Sequence, residues 1–594
     1  MLGSRTRLDR LFSIYRSSMQ FGARRETFFK TFVWLGLSVA LSLAMASVAL
    51  HEGVGTYVVQ DDARQHVFWM QRFLDAELFP NDLIANYFQS VAPVGYTTLY
   101  RAATAIGLEP FTFNKLLPPI LAVITTAFGF GATLQLFPVP FAGFGATSIL
   151  NLSLWMKDDL VSGTPRAFVY PLLTAFLYFL LRRDIWMTAL SIVATGLFYP
   201  QYVLVETGVL VLNGVGFPKF RFDRTSIFFA LVGCIVAALV LLPFLLATNE
   251  FGPVVTLAQA KESADFHPKG RSAFFNPDPL YFWMGGDRSG FFPGRTPLAL
   301  WIGVLLPVWR LFPKVFPLVT RLRRSEVLLQ LLVSASAWFL LAHLFLFKLH
   351  LPSRYSHHSL RVLLSIASGI ALAVLVDAIW RRAVKGNIVL KGLGGAIALS
   401  LVLSVVASPL WLHDAFKTAY NEGYATGLYE FFKTTPKDSS IAGIDEELNN
   451  IPTFSQRSIL TGLEYAIPYH TGYYSQLKQR TIDLIRAQYS SDPKLVWDFL
   501  REYDIDYWVV DRNDFSISYL KGNYWLDKIR KSQLSEDPLV RSISETFQNL
   551  ESGEVPVLSQ WVDRCSIFEF DRFIVLETRC LLEDDLTAES APRP

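Results

Sequence analysis

The sequence predicts a mainly α-helical membrane protein that carries a smaller, exported α/β domain at its carboxyl end. Hydrophobic residues make up 52% of the 594 residues and include 48 Phe, which is too apolar for an ordinary soluble chain. Charged residues still make up 18%, which is too many for a chain embedded wholly in lipid. Long apolar runs stop near Leu412, and polar sequence follows them to Pro594. We therefore expect a bundle of membrane helices followed by a soluble domain.

About eleven apolar runs reach or approach the roughly 17 to 25 residues that a membrane-spanning helix needs. The weakest are the pair around "FYPQY" and the run that begins at Pro297, because they are short or contain proline. The predicted spans are 31–50, 114–136, 139–156, 166–181, 185–200, 202–218, 226–248, 297–312, 327–347, 360–380 and 393–412.

Basic residues predict the orientation, because cytoplasmic loops carry an excess of Lys and Arg. The arm 1–30 is basic, and with eleven spans the loops containing "RRD", "KFRFDR", "RLRR" and "RRAVK" fall on the same side of the membrane. This predicts a multi-pass protein of the plasma (inner) membrane with its amino terminus inside and residues 413–594 outside. A signal peptide that ends within "AMAS" is the alternative interpretation of the first run, and it also exports the loop that follows.

The net charge of +3 is small for this length, and no Lys/Arg run with interleaved aromatic residues occurs. Nucleic acid is therefore not an expected partner.

Polar chemistry collects in the predicted outer loops, two of which are long, at 51–113 and 249–296. The inner loops are short and mainly basic. We expect a functional site at the outer boundary of the membrane. The candidate residues in the outer loops are Asp61, Asp62, Asp158, Asp159, Arg288, Arg354, His357 and His358.

The pair Asp61 and Asp62 follows the first span directly. The sequence "DARQ" fits a capping box, with Asp62 as the N-cap and Gln65 three residues later, and apolar residues at helical spacing follow as far as Leu74. One carboxylate would then start a helix. The other is left for chemistry, either as a general base or as a ligand of a divalent metal.

Three further sites in the sequence have two interpretations each. Glu206 lies in an apolar run, where an ionisable group is costly and suggests a function, although it could simply face a hydrated cavity. Arg354 matches the geometry of a lipid phosphate, or else it snorkels to the interface. The adjacent His357 and His358 form a poor chelating pair, which favours a structural or phosphate-binding role over zinc.

After Leu412 the sequence predicts a small α/β domain. "SSIAGI", "RSILTG", "IDYWVVD" and "RFIVLET" are typical of short strands, and "LKQRTIDLIRAQY" and "PKLVWDFLREY" of helices. Cys565 and Cys580 both lie in this exported region, where a disulfide is permitted. No glycine-rich dinucleotide or P-loop motif occurs there.

The many spans, the acidic motif "QDDARQH" just after the first span and the exported terminal domain resemble the GT-C class of membrane glycosyltransferases. The resemblance covers residues 31–412. It implies transfer of a sugar from a polyprenyl-phosphate carrier to a glycan, lipid or protein acceptor on the outer face. The terminal domain lacks the "WWDYG" motif of the oligosaccharyltransferase catalytic subunit, which disfavours protein N-glycosylation and favours a monosaccharide donor.

Carried onto this sequence, the resemblance makes Asp61 or Asp62 the catalytic base or metal-proximal acid. It makes Asp158 and Asp159, with Glu206, candidates for a second acidic group. A divalent cation, Mg or Mn, would bind at Asp61 and Asp158. The lipid phosphate would be held by Arg354, His357, His358 and Arg288.

Three other functions remain open at this point. A lipid-linked sugar transporter or flippase would show repeated halves and paired broken helices. A polysaccharide polymerase or ligase would carry its main functional content in a mid-chain outer loop. A non-catalytic assembly scaffold would keep the architecture without the activity.

Overall fold

The computed structural model describes residues 24–246, 249–385, 388–407, 416–532 and 534–583. Every predicted apolar run coincides with helix in these ranges, although most of the basic arm and the end of the last run, 408–412, lie outside them. The long helices are α1 Arg24–Glu52, α2 Pro110–Leu136, α3 Pro140–Trp155, α4 Val169–Arg182, α5 Ile185–Phe198, α6 Val203–Gly214, α7 Arg224–Leu246, α8 Glu326–Leu344, α9 Pro352–Lys385 and α10 Ile388–Val406. The run at 297–312 forms a 3-10 helix, Leu298–Leu305, continued by Leu306–Trp309.

Five described helices are long and apolar enough to cross a membrane by length and composition. They lie in α1, α2, α7, α8 and α9, and shorter apolar helices lie in α5, in α10 and at Leu298–Trp309. The chain is accordingly a membrane protein. The count of eleven spans and the orientation stay predictions.

Helix α9 forms the centre of the bundle. Almost every residue from Pro352 to Val374 is buried, and Gly369 lies so close to α3 that a Cβ there would overlap the backbone of Ala146. The helix begins at Pro352, eight residues before the predicted span. The stretch "LPSRYSHHSLR", expected to be a loop, is therefore mostly helix, because a proline is well tolerated in a first helical turn and most of the polar residues that follow are buried against neighbouring elements.

The carboxyl-terminal region contains a five-stranded mixed sheet. The strands are β3 Ser440–Ala442, β4 Ser458–Ile459, β5 Tyr507–Asp511, β6 Ser566–Phe570 and β7 Phe573–Glu577. Their order in the sheet is β4-β3-β5-β7-β6. Strand β3 pairs in parallel with β4 and β5, and β7 pairs antiparallel with β5 and β6. The four predicted strands are present, while β6, whose side chains lie largely at the surface, was not predicted.

Helices pack around this sheet and complete the region. The two predicted helices are found at Thr471–Gln488 and Pro493–Tyr503, and Pro538–Glu551 and Val557–Cys565 follow them. Cys565 and Cys580 form a disulfide with a Cα–Cα distance of 5.5 Å. Among the described residues the free cysteine is Cys234, which lies in α7.

A short antiparallel ladder pairs the segment after the first long helix with the segment after the last one. Strand β1, Val58–Gln60, follows α1 and pairs with β2, Tyr420–Glu422, which follows α10. The backbone N–H of Asp61 continues this ladder by donating to the Ala419 carbonyl at 2.9 Å. The acidic pair is therefore positioned by a segment from the far end of the membrane region.

Candidate functional site

The short helix Ala63–His66 begins beside the acidic pair, but the predicted capping box is wrong. Asp62 makes no side-chain capping bond. The Gln60 side-chain oxygen instead accepts the backbone N–H groups of Asp62 and Ala63 at 2.9 and 3.3 Å. Gln65 donates to Glu464 instead of to the helix start. Both carboxylates are thereby free for other partners.

Asp61 faces the carboxyl-terminal region. It accepts hydrogen bonds from Arg64 and from the Asn421 amide, the latter at 2.8 Å. Arg64 also bonds Glu464 and Asn450, each at 3.1 Å. Asp61 thus belongs to a network that links the first outer loop to the segments around the terminal sheet.

Asp62 faces the membrane region, where it pairs with Arg166. The same guanidinium lies 3.3 Å from a carboxylate oxygen of Asp158 and 3.3 Å from one of Asp159. We call these four residues the Arg166 cluster. One arginine therefore brings the two predicted acidic pairs together. It contacts Asp62 of the first pair and both Asp158 and Asp159 of the second.

The local fold explains the position of Arg166. A four-residue helix, Asp158–Val161, is followed by a turn at Gly163, whose φ of +59° favours glycine. A Cβ at Gly163 would lie 2.6 Å from the Asn114 amide nitrogen, which donates to the Ser162 carbonyl at 2.9 Å. The 3-10 helix Pro165–Phe168 then turns Arg166 back over the preceding carboxylates and leads directly into α4.

Asp159 is the most enclosed carboxylate of the cluster, with a side chain only 2% exposed. It accepts a hydrogen bond from the Tyr170 hydroxyl at 2.9 Å. His358 Nδ1 lies 2.9 Å from the same hydroxyl, and Arg354 lies 3.9 Å from Asp159. Arg354 and His358, two predicted phosphate ligands, therefore lie on α9 beside the cluster.

Four cations contact the carboxylates of this cluster. Lys157 and Lys417 lie 3.8 and 3.7 Å from Asp158 and join Arg166 and Arg354. Lys157 also lies 3.9 Å from Asp287, a fourth carboxylate that is 74% exposed. The carboxylates of the cluster are therefore fully compensated by cations.

The buried carboxylates Asp158 and Asp159 are held in their charged form. Burial alone would raise the pKa of Asp159, but Arg166, Lys157, His358 and Arg354 together lower that pKa well below its usual range. Burial would lower the pKa of Arg166, but Asp62, Asp159 and Asp158 raise it above the usual value. A permanent charge arrangement results near neutral pH.

Arg288 and His357 lie close to Arg354. Burial is the main cause that lowers the pKa of Arg288, and Arg354 and Arg271 lower it further. The buried Nε of Arg288 and Nε2 of His357 have no hydrogen-bond partner among the described residues. A phosphate oxygen would supply such a partner.

Glu206 lies apart from this group. It is fully buried in α6 and accepts a hydrogen bond from the Thr195 hydroxyl of α5 at 2.9 Å, while its second oxygen has no partner among the described residues. None of its described contacts reaches the Arg166 cluster. The predicted role of Glu206 as a second acidic group stays a prediction.

The predicted metal ligands Asp61 and Asp158 do not share a partner. Within the described ranges no group of three His, Cys, Asp or Glu side chains is arranged to hold a metal ion. The carboxylates that do converge already surround a guanidinium, and a divalent cation placed there would meet its like charge. The donor set as arranged therefore does not fit Mg or Mn.

A polar cavity of about 560 Å³ opens on the other side of Asp61. Arg64 forms part of its wall, together with Asn421 from β2 and Asp445, Glu464 and Tyr519 from the carboxyl-terminal region. The Arg64 guanidinium separates this cavity from Asp61. A polar molecule in the cavity would thus lie next to the acidic pair.

Comparisons with known proteins place this geometry in context. The sequence matches no family model and no curated protein. Among solved structures, it is similar to the Archaeoglobus fulgidus oligosaccharyltransferase tethered with an acceptor peptide containing the NVT sequon. The TM-score is 0.55 at 12% identity, over 87% of this chain and 72% of that chain. The chain has the GT-C fold.

A second structure has the same fold, and a third is similar at a lower score. The archaeal oligosaccharyltransferase AglB, in complex with an inhibitory peptide and a dolichol-phosphate, matches 82% of this chain and 71% of its own at a TM-score of 0.51 and 12% identity. ArnT from Cupriavidus metallidurans, bound to undecaprenyl phosphate, matches 75% of this chain and 88% of its own at 0.38 and 13%. The predicted resemblance to the GT-C class is confirmed for the fold.

Arg166 is the central residue that the sequence did not single out, although "KDDLVSGTPR" places it eight residues after Asp158 in the same predicted loop. Tyr170, Lys417 and Gln60 were also missed. The position of Arg166 shortly after an acidic pair was a usable signal for an ion cluster. Lys417 reaches the cluster because the ladder that follows it holds this segment in place, which no local sequence pattern indicates.

We predict that Arg166→Gln destabilises the protein strongly, by about 3 to 5 kcal/mol, because it leaves buried carboxylates without their cation. Thermal or denaturant unfolding of the full chain in detergent measures the change. Arg541→Gln is the matched control, since Arg541 and its partner Glu536 are 56% and 90% exposed, and such exposed pairs contribute about 0 to 1 kcal/mol. Equal losses in the two variants would contradict the central role of Arg166.

A second prediction concerns Glu464, whose pKa burial raises to about 7, although Arg271 and Arg64 act to lower it. A raised carboxyl pKa stabilises the folded state fully below the unfolded value of 4.5, and this stabilisation is lost as the pH rises to about 7. Between about pH 5 and pH 8, the melting temperature of the wild type should fall relative to that of Glu464→Gln, because this range contains the raised pKa of Glu464. A difference that stays constant with pH would argue against the raised pKa.

Proposed function

We propose that the protein transfers a sugar from a polyprenyl-phosphate carrier to an acceptor at the outer face of the membrane, with Asp62 as the general base. The observation that carries this proposal is the Arg166 cluster, in which Asp62 is the most exposed of the three carboxylates, at 25% against 14% and 2% for Asp158 and Asp159. Asp62 is the member that a substrate can reach.

The three carboxylates have different parts in this proposal. Asp158 and Asp159 fix the Arg166 guanidinium, which in turn orients Asp62. Asp62 accepts the proton of the acceptor hydroxyl while that oxygen attacks the anomeric carbon. The bond from this carbon to the phosphate oxygen breaks with inversion, and the lipid phosphate leaves with its electron pair.

The cations near the cluster suit the departing phosphate. Arg354 on α9 and the incompletely paired Arg288 provide guanidinium groups, which match phosphate geometry. His357 has an unpaired buried ring nitrogen beside them. Because phosphate is a good leaving group once its charge is stabilised, the reaction needs little help from a general acid.

We place the acceptor in the cavity behind Arg64, from which its reacting hydroxyl extends to Asp62, a residue that does not line the cavity. The similar archaeal structures contain an acceptor peptide or an inhibitory peptide, and here the cavity between the first outer loop and the carboxyl-terminal region offers carboxylate, amide, guanidinium and phenol groups. These groups suit a polar, hydroxyl-bearing acceptor. Asp61 and Arg64 position that acceptor and do not take its proton.

The transfer assay supplies purified full-length protein with labelled polyprenyl-phosphate sugars and a membrane extract as the acceptor source. We expect Asp62→Asn to reduce transfer by roughly 10²-fold to 10⁴-fold, the usual contribution of a general base. Asp61→Asn should retain most of kcat but raise the KM for the acceptor, because Asp61 helps to position it, and the exposed control Glu551→Gln should retain full activity. Equal melting temperatures for the variants would exclude a folding defect.

Wild-type protein that transfers no sugar, or an Asp62→Asn variant that transfers as well as wild type, would overturn the assignment. Movement of the labelled lipid across vesicles without transfer would support the transporter alternative.

Removal of divalent metal tests the role of Arg166. Since a guanidinium already neutralises the converging carboxylates, activity should survive dialysis against a chelator, and added Mg or Mn should change it little. Loss of activity with the chelator and recovery with one of these ions would show that a divalent cation binds near Asp62 after all.

A further inference from the structure

A second cavity, of about 300 Å³, lies where α4 and α6 end and α7 and α8 begin. Helix α4 starts three residues after Arg166 and has 14 residues, which corresponds to about 21 Å at 1.5 Å per residue. Helix α8 runs from this cavity to His343, which contacts the Ser289 carbonyl of the long outer loop at 2.9 Å. The cavity therefore lies at the opposite end of the bundle from the Arg166 cluster.

The lining of this cavity is rich in cations that carboxylates do not fully compensate. Arg183 pairs with Asp223 at 3.4 Å, and Lys219 pairs with Glu326 at 3.2 Å. The two remaining cations of the lining, Arg221 and Arg324, have no carboxylate partner among the described residues. An excess of two positive charges is left around the cavity.

The backbone holds these cations together although they repel each other. Arg324 donates to the Leu181 carbonyl at the end of α4. Burial lowers the pKa of Arg324, and neighbouring Arg183 lowers it further. Gly216 has a φ of +65°, and a Cβ there would overlap the carbonyl of Arg221, so that a tight turn returns Arg221 to the cavity.

The surface next to the cavity is apolar. Phe220 and Phe222, on either side of Arg221, are 62% and 72% exposed, as is typical of aromatic residues at a membrane interface. Helix α7 begins there and exposes an apolar stripe at helical spacing, which consists of Ile227, Phe228, Leu231, Ile235 and Leu239. Acyl chains can lie along this stripe while a head group occupies the cavity.

We propose that this cavity binds the phosphate head group of an anionic membrane phospholipid, with Arg221 and Arg324 as its main ligands. Guanidinium groups match phosphate oxygens, and basic pockets between membrane helices on the cytoplasmic side suit anionic head groups. The continuous apolar stripe favours a lipid over a soluble phosphate. This site is independent of the proposed transfer reaction.

The test uses native mass spectrometry of the full-length protein in neutral detergent. Phosphatidylglycerol, phosphatidylcholine with the same acyl chains, and inorganic phosphate are titrated separately. We expect preferential binding of phosphatidylglycerol, and an affinity roughly tenfold lower in Arg221→Gln/Arg324→Gln, equivalent to about 1.4 kcal/mol. Arg382→Gln/Lys385→Gln is the matched control, because it removes the same charge from exposed positions of α9 outside the cavity.

Arg221→Gln alone serves as a second variant, since Arg221 makes no ion pair in the described structure whose loss could unfold the protein, and it should also weaken binding. Equal binding of the two lipids, or equal loss in the cavity and control variants, would overturn the proposal. Saturation by inorganic phosphate that displaces the anionic lipid would show that the cavity is a soluble-anion site instead.

Discussion

The geometry of the site depends on the Arg166 guanidinium. Asp62 precedes it by 104 residues in the chain, while Asp158 and Asp159 lie in its own loop. Removing any of these charges from water is costly, and the cost is offset only because all of them meet at one cation with further hydrogen bonds. The first and second outer loops are therefore held together here by ion pairs to Arg166.

The adjacent residues Asp61 and Asp62 connect two halves of the molecule. Asp62 is bound to the membrane region through Arg166, whereas Asp61 is bound through Arg64 to Glu464 and the carboxyl-terminal region. A shift of their shared backbone would move both carboxylates. A displacement of the terminal region would therefore reach Asp62 through Glu464, Arg64 and Asp61.

The helices were predictable because the length and hydropathy of an apolar run are local properties. The start of α9 was not, since Arg354, His357 and His358 interrupt the apolar pattern, and their burial against other elements arises only in the folded protein. Asp62 was predicted as a helix cap by its intrinsic preference, but pairing with Arg166 is stronger, and Gln60 replaces it. That pairing joins residues far apart in the chain, so no local pattern could reveal it. The sequence suggested that the two acidic pairs converge, but it did not indicate that Arg166 lies between them.

The ladder between β1 and β2 has a consequence for biosynthesis. Gln60 pairs with Tyr420, so the residue before the acidic pair acquires its partner only after the intervening 360 positions of chain have been made. At about 5 to 20 residues per second this delay is roughly 20 to 70 seconds. Throughout that interval the ribosome-bound chain has its acidic loop without the strand that positions it. The acidic loop therefore reaches its folded arrangement only after helix α10 and the strand that follows it have been made.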